Sequence, residues 1–289
     1  MVILEQNREI TSRQRLDHYL AALYPDISRA FLQKLCNTDQ VLVNGKPQKS
    51  GYRIHASDKI DVLYDISQVE KTPDIELPII YEDDDVLVIN KPVGVISHAR
   101  GKYYNEASVA SFIRSYFKDP SGQRAGIVHR LDRATSGVMI CAKHATAMAW
   151  LQKQFADRSV HKTYVSITEG HLEPAEALID MPIERNPKAP STFRVGSNGK
   201  PAITRYKVIK QLASHDLVEL YPQTGRTHQL RVHLKQLKHP IVGDILYGGE
   251  VAERLYLHAS QLEIRLPSKE INTFTAPLPA EFTDFKEII

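Results

Sequence analysis

The chain has 289 residues, 42% of them hydrophobic and 25% charged, with a net charge of +3. That is enough apolar material for a core and rules out a disordered chain, and the length suits one large domain plus a small one. Cys36 and Cys141 form no CxxC pair, so a disulfide framework is not indicated and a reduced, cytoplasmic setting is expected. No apolar run is long enough to span a membrane, and the first acid comes too early for a secretory h-region.

The distribution of charge says more than its sum. Eleven Lys and Arg residues lie from Arg185 to Lys238 against Asp216 and Glu219, and seven from Arg124 to Lys162 against Asp132 and Asp157. Between Ser57 and Asn90 ten acids stand against Lys59 and Lys71. Such blocks are either solvated faces or a basic surface for a polyanion with the acids kept elsewhere.

Residues 13–66 read as a compact module. Leu16, Tyr19, Leu20 and Leu23 follow the i, i+3, i+4, i+7 pattern of a buried helix face, and Pro25 ends that helix. Ser28 suits the N-cap of a second helix with Phe31, Leu32 and Leu35 inward. Asn44-Gly45 sits between short β-rich runs, a hairpin signal. Arg15–Asp17, Ser28–Ala30 and Val41–Lys46 (R-L-D, S-R-A, V-x-V-N-G-K) resemble the alpha-L RNA-binding fold of a small-subunit ribosomal protein and of tyrosyl-tRNA synthetases. That resemblance makes Arg29, Lys34 and Lys46 candidates for RNA contact; each could equally do no more than solvate its face.

Residues 67–78 are polar, bracketed by Pro73 and Pro78, and read as a linker. From Ile79 to the end, extended runs dominate, and three stretches carry helical spacing: 108–117, 145–158 and 227–237. Strands in runs with few, irregularly placed helices argue for an α+β fold with a mixed, largely antiparallel sheet.

The chemistry concentrates in G-I-V-H-R-L-D-R-A-T-S-G, Gly126 to Gly137. An apolar lead-in meets a polar loop, then a turn into the apolar strand V-M-I-C-A. Positive charge on Arg130 and Arg133 favours the ionised form of Asp132, which suits a nucleophile. On spacing alone a salt-bridged loop aspartate explains it equally well. The run His129-Arg130-Leu131-Asp132, with Thr135, Ser136 and Gly137, resembles the signature loop of the RluA-type pseudouridine synthases. Three further segments match that family in order: Asn90-Lys91-Pro92 with Gly94, Lys162-Thr163-Tyr164, and Thr224 to His233 followed by His239 to Asp244. The stretch Ala99–Tyr104 departs from it.

The resemblance implies a pseudouridine synthase fold with helices flanking the sheet, and isomerisation of uridine in structured RNA, most of all large-subunit ribosomal RNA. It implies that Asp132 is the essential aspartate, that Tyr164 stacks on the target base and moves a proton, and that Arg226 pairs with the aspartate. Leu230 would line the pocket and Arg130 would help fill the space of a flipped base. Lys91, Lys162 and His129 would contact substrate or RNA. If residues 227–234 are helical, Arg226 and Leu230 share a face, one reaching Asp132 and the other walling the pocket. A tRNA-directed synthase and a non-catalytic RNA-binding or ribosome-assembly protein are the alternatives; the Asp132, Tyr164 and Arg226 set speaks against the second. No cofactor, metal or membrane is expected, and a monomer suffices. His228, His233 and His239 lack the i, i+4 spacing of a helical metal pair, and Cys141 reads as core.

Overall fold

A computed structural model describes residues 13–24, 27, 29–64, 75–98, 106–117 and 126–285. Ser28, most of the expected linker (67–74) and the stretch Ala99–Tyr104 lie outside the described residues. The described residues up to Ile75, with Glu106 and Ala107, form one compact unit; the remainder form a second.

In the first unit, α1 (Leu16–Leu23) turns Leu16, Tyr19 and Leu20 inward. α2 (Arg29–Asn37) adds Leu32, Leu35 and Cys36 to the same core. β1 (Val41–Val43), β2 (Lys46–Pro47) and β3 (Ile60–Val62) form an antiparallel sheet in the order β2-β1-β3. The β1–β2 turn takes positive φ at Asn44 (51°) and Gly45 (75°), as a two-residue type I′ hairpin requires. Asp17 is fully buried and accepts hydrogen bonds from Arg15, Arg29 and Gln33 at 2.6–3.2 Å. Burial would raise its pKa; the bonds from Arg15, Gln33 and Arg29 outweigh that and hold the carboxyl well below the usual range. Arg29, expected to face RNA, is therefore engaged in locking α2 to α1. Lys34 and Lys46 are exposed.

Among the described residues the second unit is built on a nine-stranded sheet. Its strands are β4 (Ile79–Glu82), β5 (Val86–Lys91), β6 (Ser136–Ala142), β7 (His161–Glu169), β8 (Glu176–Asp180), β11 (Ile203–Gln211), β12 (His215–Pro222), β13 (Leu257–Arg265) and β14 (Ile271–Thr275). The order is β4-β5-β6-β13-β7-β12-β11-β8, with β14 on β13. β13 runs parallel to β6, and the other described pairings are antiparallel. β6 is buried at every position, which is why its sequence is an unbroken run of small and apolar residues rather than an alternation. β9 (Ile183–Arg185) and β10 (Phe193–Val195) form a separate ribbon.

Helices α3 (Val109–Ile113), α4 (Ala145–Asp157), α5 (Gln229–Gln236) and α6 (Ala280–Thr283) complete the unit. α3 is shorter than the spacing suggested: a capping box of Ser108 and Ser111 starts it, but it stops at Ile113. One core cluster gathers Val165, Ile167, Val218 and Leu220 with Leu230 and Leu234 of α5. A second gathers Val86, Val88, Val138, Ile140, Leu262 and Phe274 with Ala147 and Leu151 of α4. Each such fully buried aliphatic side chain contributes about 1.5–3 kcal/mol. No helix among the described residues is long and apolar enough to cross a membrane.

Candidate active site

Asp132 sits in the loop that enters β6, and that loop is held from both sides. Ser97 Oγ donates to Leu131 O (2.7 Å) and accepts from Leu131 N (3.1 Å). On the other side Gly94 N donates to Arg133 O (2.8 Å), and Thr135 N donates to Asp132 O (3.0 Å). Gly137 then enters the strand at φ 116°, where a Cβ would lie 2.1 Å from Ala259 O. Only glycine permits so close an approach of β6 to β13. The loop therefore starts from a fixed base.

Lys91 belongs to this scaffold. It is fully buried, and its Nζ donates to Pro92 O (2.9 Å), Val95 O (2.8 Å) and, more weakly, Arg133 O (3.5 Å). Burial lowers its pKa to about 7, partly opposed by Asp132. The expectation that Lys91 contacts RNA is corrected: its ammonium closes the loop from inside. His129 lines the cavity around Asp132 and also serves the scaffold. Its Nε2 accepts from Ile140 N (3.0 Å) and its ring stacks on Phe155 at 4.7 Å. Burial, helped by Lys162, pushes its pKa down to about 3, so it stays neutral while it orients the loop.

The carboxylate of Asp132 is 17% exposed and has three cationic or potentially cationic neighbours: Arg130 Nη2 at 3.9 Å, His228 Nε2 at 3.8 Å and Arg231 Nη1 at 3.8 Å. None is within hydrogen-bonding distance, and among the described residues no hydrogen bond is donated to either carboxylate oxygen. Positive charge holds the group in place while its lone pairs stay open.

The arginine that clamps Asp132 is Arg231, not Arg226. α5 begins at Gln229, because His228 takes the left-handed conformation (φ 58°) and Gln229 ties the turn down. The Gln229 side chain accepts from Thr224 Oγ1 and Arg226 N, and donates to Ile203 O and Thr204 Oγ1. Arg226 thus precedes the helix and does not share a helical face with Leu230. Its Nε donates to Pro201 O (3.0 Å). Arg231 is gripped instead by a bidentate pair with the fully buried Asp244 (2.7 and 2.6 Å) and lies 4.9 Å over the Tyr247 ring. Burial opposes its charge, but the bonds to Asp244 and the charges of Asp244 and Asp132 outweigh burial and raise its pKa. Tyr247 also meets His228 Nδ1 through its hydroxyl (2.7 Å). The signal for Arg231 was present in the G-D of Gly243-Asp244: a buried aspartate needs a cationic partner, and the second arginine of the T-G-R-T-H-Q-L-R-V-H run supplies it.

These groups line a cavity of about 530 Å³, within the size range of small-ligand pockets. Asp132, Tyr164, Leu230, His228 and Arg231 all contribute to its wall. Apolar residues come from both core clusters, Val128, Phe155 and Val160 from one and Leu230 and Leu257 from the other. Burial and the nearby Asp132 charge raise the pKa of Tyr164, so it remains a neutral phenol. Lys162 lines the same wall two residues earlier on β7, and burial lowers its pKa to about 8. Arg130 and Arg226 line the cavity too. Asp132 is the one acid in a lining that holds five Lys and Arg residues. Among the described residues no cluster of His, Cys, Asp and Glu could hold a metal. Cys141, in β6, is buried and pushed up to about 12 by that burial, as a core thiol is.

Comparison with known proteins supplies the family. A family model described as RNA pseudouridylate synthase matches residues 85–236, and one for the S4 domain matches residues 14–60. The chain is 33% identical over 297 residues to the ribosomal large subunit pseudouridine synthase D of Escherichia coli strain K12, covering 96% of this chain and 90% of that protein. It is 36% identical over 290 residues to the protein of the same name from Xanthomonas campestris, covering 93% and 86%. Two solved human structures superpose on it. RNA pseudouridylate synthase domain containing 1 gives a TM-score of 0.58 at 32% identity, over 70% of this chain and 83% of that one. RNA pseudouridylate synthase domain containing 4 gives 0.57 at 29%, over 71% and 90%. With a matched catalytic domain, a matched S4 domain and relatives alike over nearly its whole length, the chain belongs to the RluA-type RNA pseudouridine synthases.

Proposed function

We propose that this enzyme converts uridine to pseudouridine in large-subunit ribosomal RNA, with Asp132 as the reacting carboxylate. The supporting observation is that Asp132 is flanked by the guanidiniums of Arg130 and Arg231 at 3.8–3.9 Å yet receives no hydrogen bond among the described residues. A carboxylate placed this way keeps its lone pairs open to an electrophile, as a nucleophile must.

The reaction breaks the N1–C1′ bond and makes a C5–C1′ bond, with no redox change. One route has Asp132 add to C1′ as uracil leaves with the N1 electron pair; the other has Asp132 take a proton from C2′ to leave a glycal. In both, uracil leaves with the N1 electron pair and turns; C5 then bonds to C1′, as the Asp132–C1′ bond breaks in the first route and as Asp132 returns its proton to C2′ in the second, after which the C5 proton departs and N1 takes up a proton. Uracil must stay captive while it turns. Tyr164 and Leu230 supply the flat and apolar walls for that, the ring stack being worth about 1–3 kcal/mol. Arg231 stabilises the charge on Asp132 before and after the transfer, in an orientation fixed by Asp244. Extruding the uridine costs a few kcal/mol, which binding of the surrounding RNA offsets. Lys34 and Lys46 of the S4 unit, and Arg130 and Lys162 at the cavity, are the groups we assign to that binding. All of them come from one chain, so a monomer is sufficient, and the target places the enzyme where ribosomal subunits are made, in the cytoplasm.

The test is to incubate the purified protein with unmodified large-subunit ribosomal RNA and with unmodified tRNA transcripts, then map pseudouridine in each. Product in the ribosomal RNA is expected. Product confined to tRNA would replace the target, and product in neither would overturn the assignment.

A further inference from the structure

One cation of the cavity has no place in the preceding account. Arg158 follows α4 as its C-cap, in the left-handed conformation (φ 59°, ψ 28°), a position that glycine fills without steric cost. Its backbone N–H donates to Gln154 O, so the backbone completes the cap without any help from the side chain. The side chain is exposed, lines the cavity, and has no hydrogen bond or ion pair among the described residues. Arg158 and His228 are the non-glycine positive-φ residues in the cavity lining, and His228 stands beside Asp132.

The left-handed cap turns the chain straight into β7. From there Arg158, Val160, Lys162 and Tyr164 alternate along the chain, and all four line the cavity. The row runs from a guanidinium, through an apolar residue and an ammonium, to the phenol placed against the base. Neither Arg158 nor Lys162 has an acidic partner among the described residues, and Asp132 is the sole acid of the lining. Two cations without acidic partners, four residues apart and about 13 Å along an extended chain, suit phosphates of a single strand entering the pocket.

We infer that Arg158 is a substrate-binding residue that holds a backbone phosphate of the RNA strand next to the extruded uridine, and that its strained cap conformation serves to aim it there. This rests on RNA entering the cavity, not on which RNA is modified.

Arg158→Gly is the discriminating variant, because glycine suits the left-handed cap better than arginine does. With any RNA that the parent enzyme modifies, KM should rise on the order of tenfold, the size of one lost charge-assisted contact, with kcat little changed. The dependence of log KM on log salt should become shallower by roughly one phosphate contact. The melting temperature should hold or rise. Arg158→Lys should recover part of the KM and of the salt dependence. Unchanged KM and salt dependence in Arg158→Gly would overturn the inference, and so would a lowered melting temperature with activity lost in kcat. A parent enzyme inactive on ribosomal RNA but active on tRNA would change the target and leave this comparison intact.

Discussion

Two aspartates in this molecule are each surrounded by positive or hydrogen-bond-donating groups, and they have opposite fates. Asp17, in the S4 unit, is fully buried and takes hydrogen bonds at 2.6–3.2 Å from Arg15, Arg29 and Gln33. Asp132, in the catalytic unit, is 17% exposed, opens on a cavity, and keeps its cations at 3.8–3.9 Å. The first is a staple between two helices, its lone pairs saturated. The second sits on a loop fixed through its backbone, and its carboxylate receives no hydrogen bond among the described residues, so its lone pairs stay open. About one ångström in the cation distance separates the saturated cluster from the open one, to which we assign the reaction, because hydrogen bonding saturates a carboxylate while charge at slightly longer range does not.

That contrast can be broken from either side. The largest effect is expected at Arg231. Arg231→Gln removes the clamp on Asp132 and strands the buried Asp244, so turnover should fall about 10²–10³-fold and stability by roughly 3–5 kcal/mol. Adding Asp244→Asn should restore much of the stability and little of the turnover, which separates the two roles. Arg226→Gln, by contrast, should change turnover less than about tenfold, since Arg226 touches Pro201 O and not Asp132. Equal loss at both positions would remove the distinction between them.

Asp17→Asn should act on stability and leave chemistry alone. It leaves Arg15 and Arg29 facing each other without their shared anion and should destabilise the S4 unit by about 3 kcal/mol, the low end for a broken buried pair because both arginines are partly exposed. Turnover at saturating RNA should be retained. Because the folded pKa of Asp17 is depressed from 3.8, its contribution is fully present above pH 3.8 and is lost as pH falls below it. Denaturation of the parent and of the variant over that range should converge in acid.

The smallest effect belongs to Lys162. With its pKa lowered to about 8, its ammonium is charged below that pH and loses its charge as pH rises through it. Thus kcat/KM of the parent should decline above about pH 8, and Lys162→Arg should flatten that limb. An identical limb in the variant would assign the titration to another group.

Most of the fold was legible because it follows local periodicity. The stripe of Leu16, Tyr19 and Leu20, the Asn44-Gly45 turn and the apolar run of β6 each dictate their element. The position of Asp132 was legible through the signature loop. What escaped was set by contacts that only the fold brings together. Lys91 and His129 look like surface cations, yet the turn after Lys91 folds the Pro92 and Val95 carbonyls onto its ammonium, with Arg133 O, 42 residues away, more weakly bound, and His129 is taken by the amide of Ile140. Arg29 looks like an RNA contact, and Asp17, twelve residues earlier, takes it. The expectation that Arg226 shares a helical face with Leu230 failed on a matter of phase: a left-handed His228 delays the start of α5, and no pattern of apolar residues records that.

The central claim is that Asp132 reacts while its surroundings only hold it. Single-turnover assays of Asp132→Asn, at RNA concentrations above the measured Kd, test this most directly. No pseudouridine should form, while RNA affinity stays within about threefold and the melting temperature is unchanged, since no hydrogen bond to the carboxylate is lost. Product formation within about tenfold of the parent rate would contradict the account, and so would unfolding of the variant.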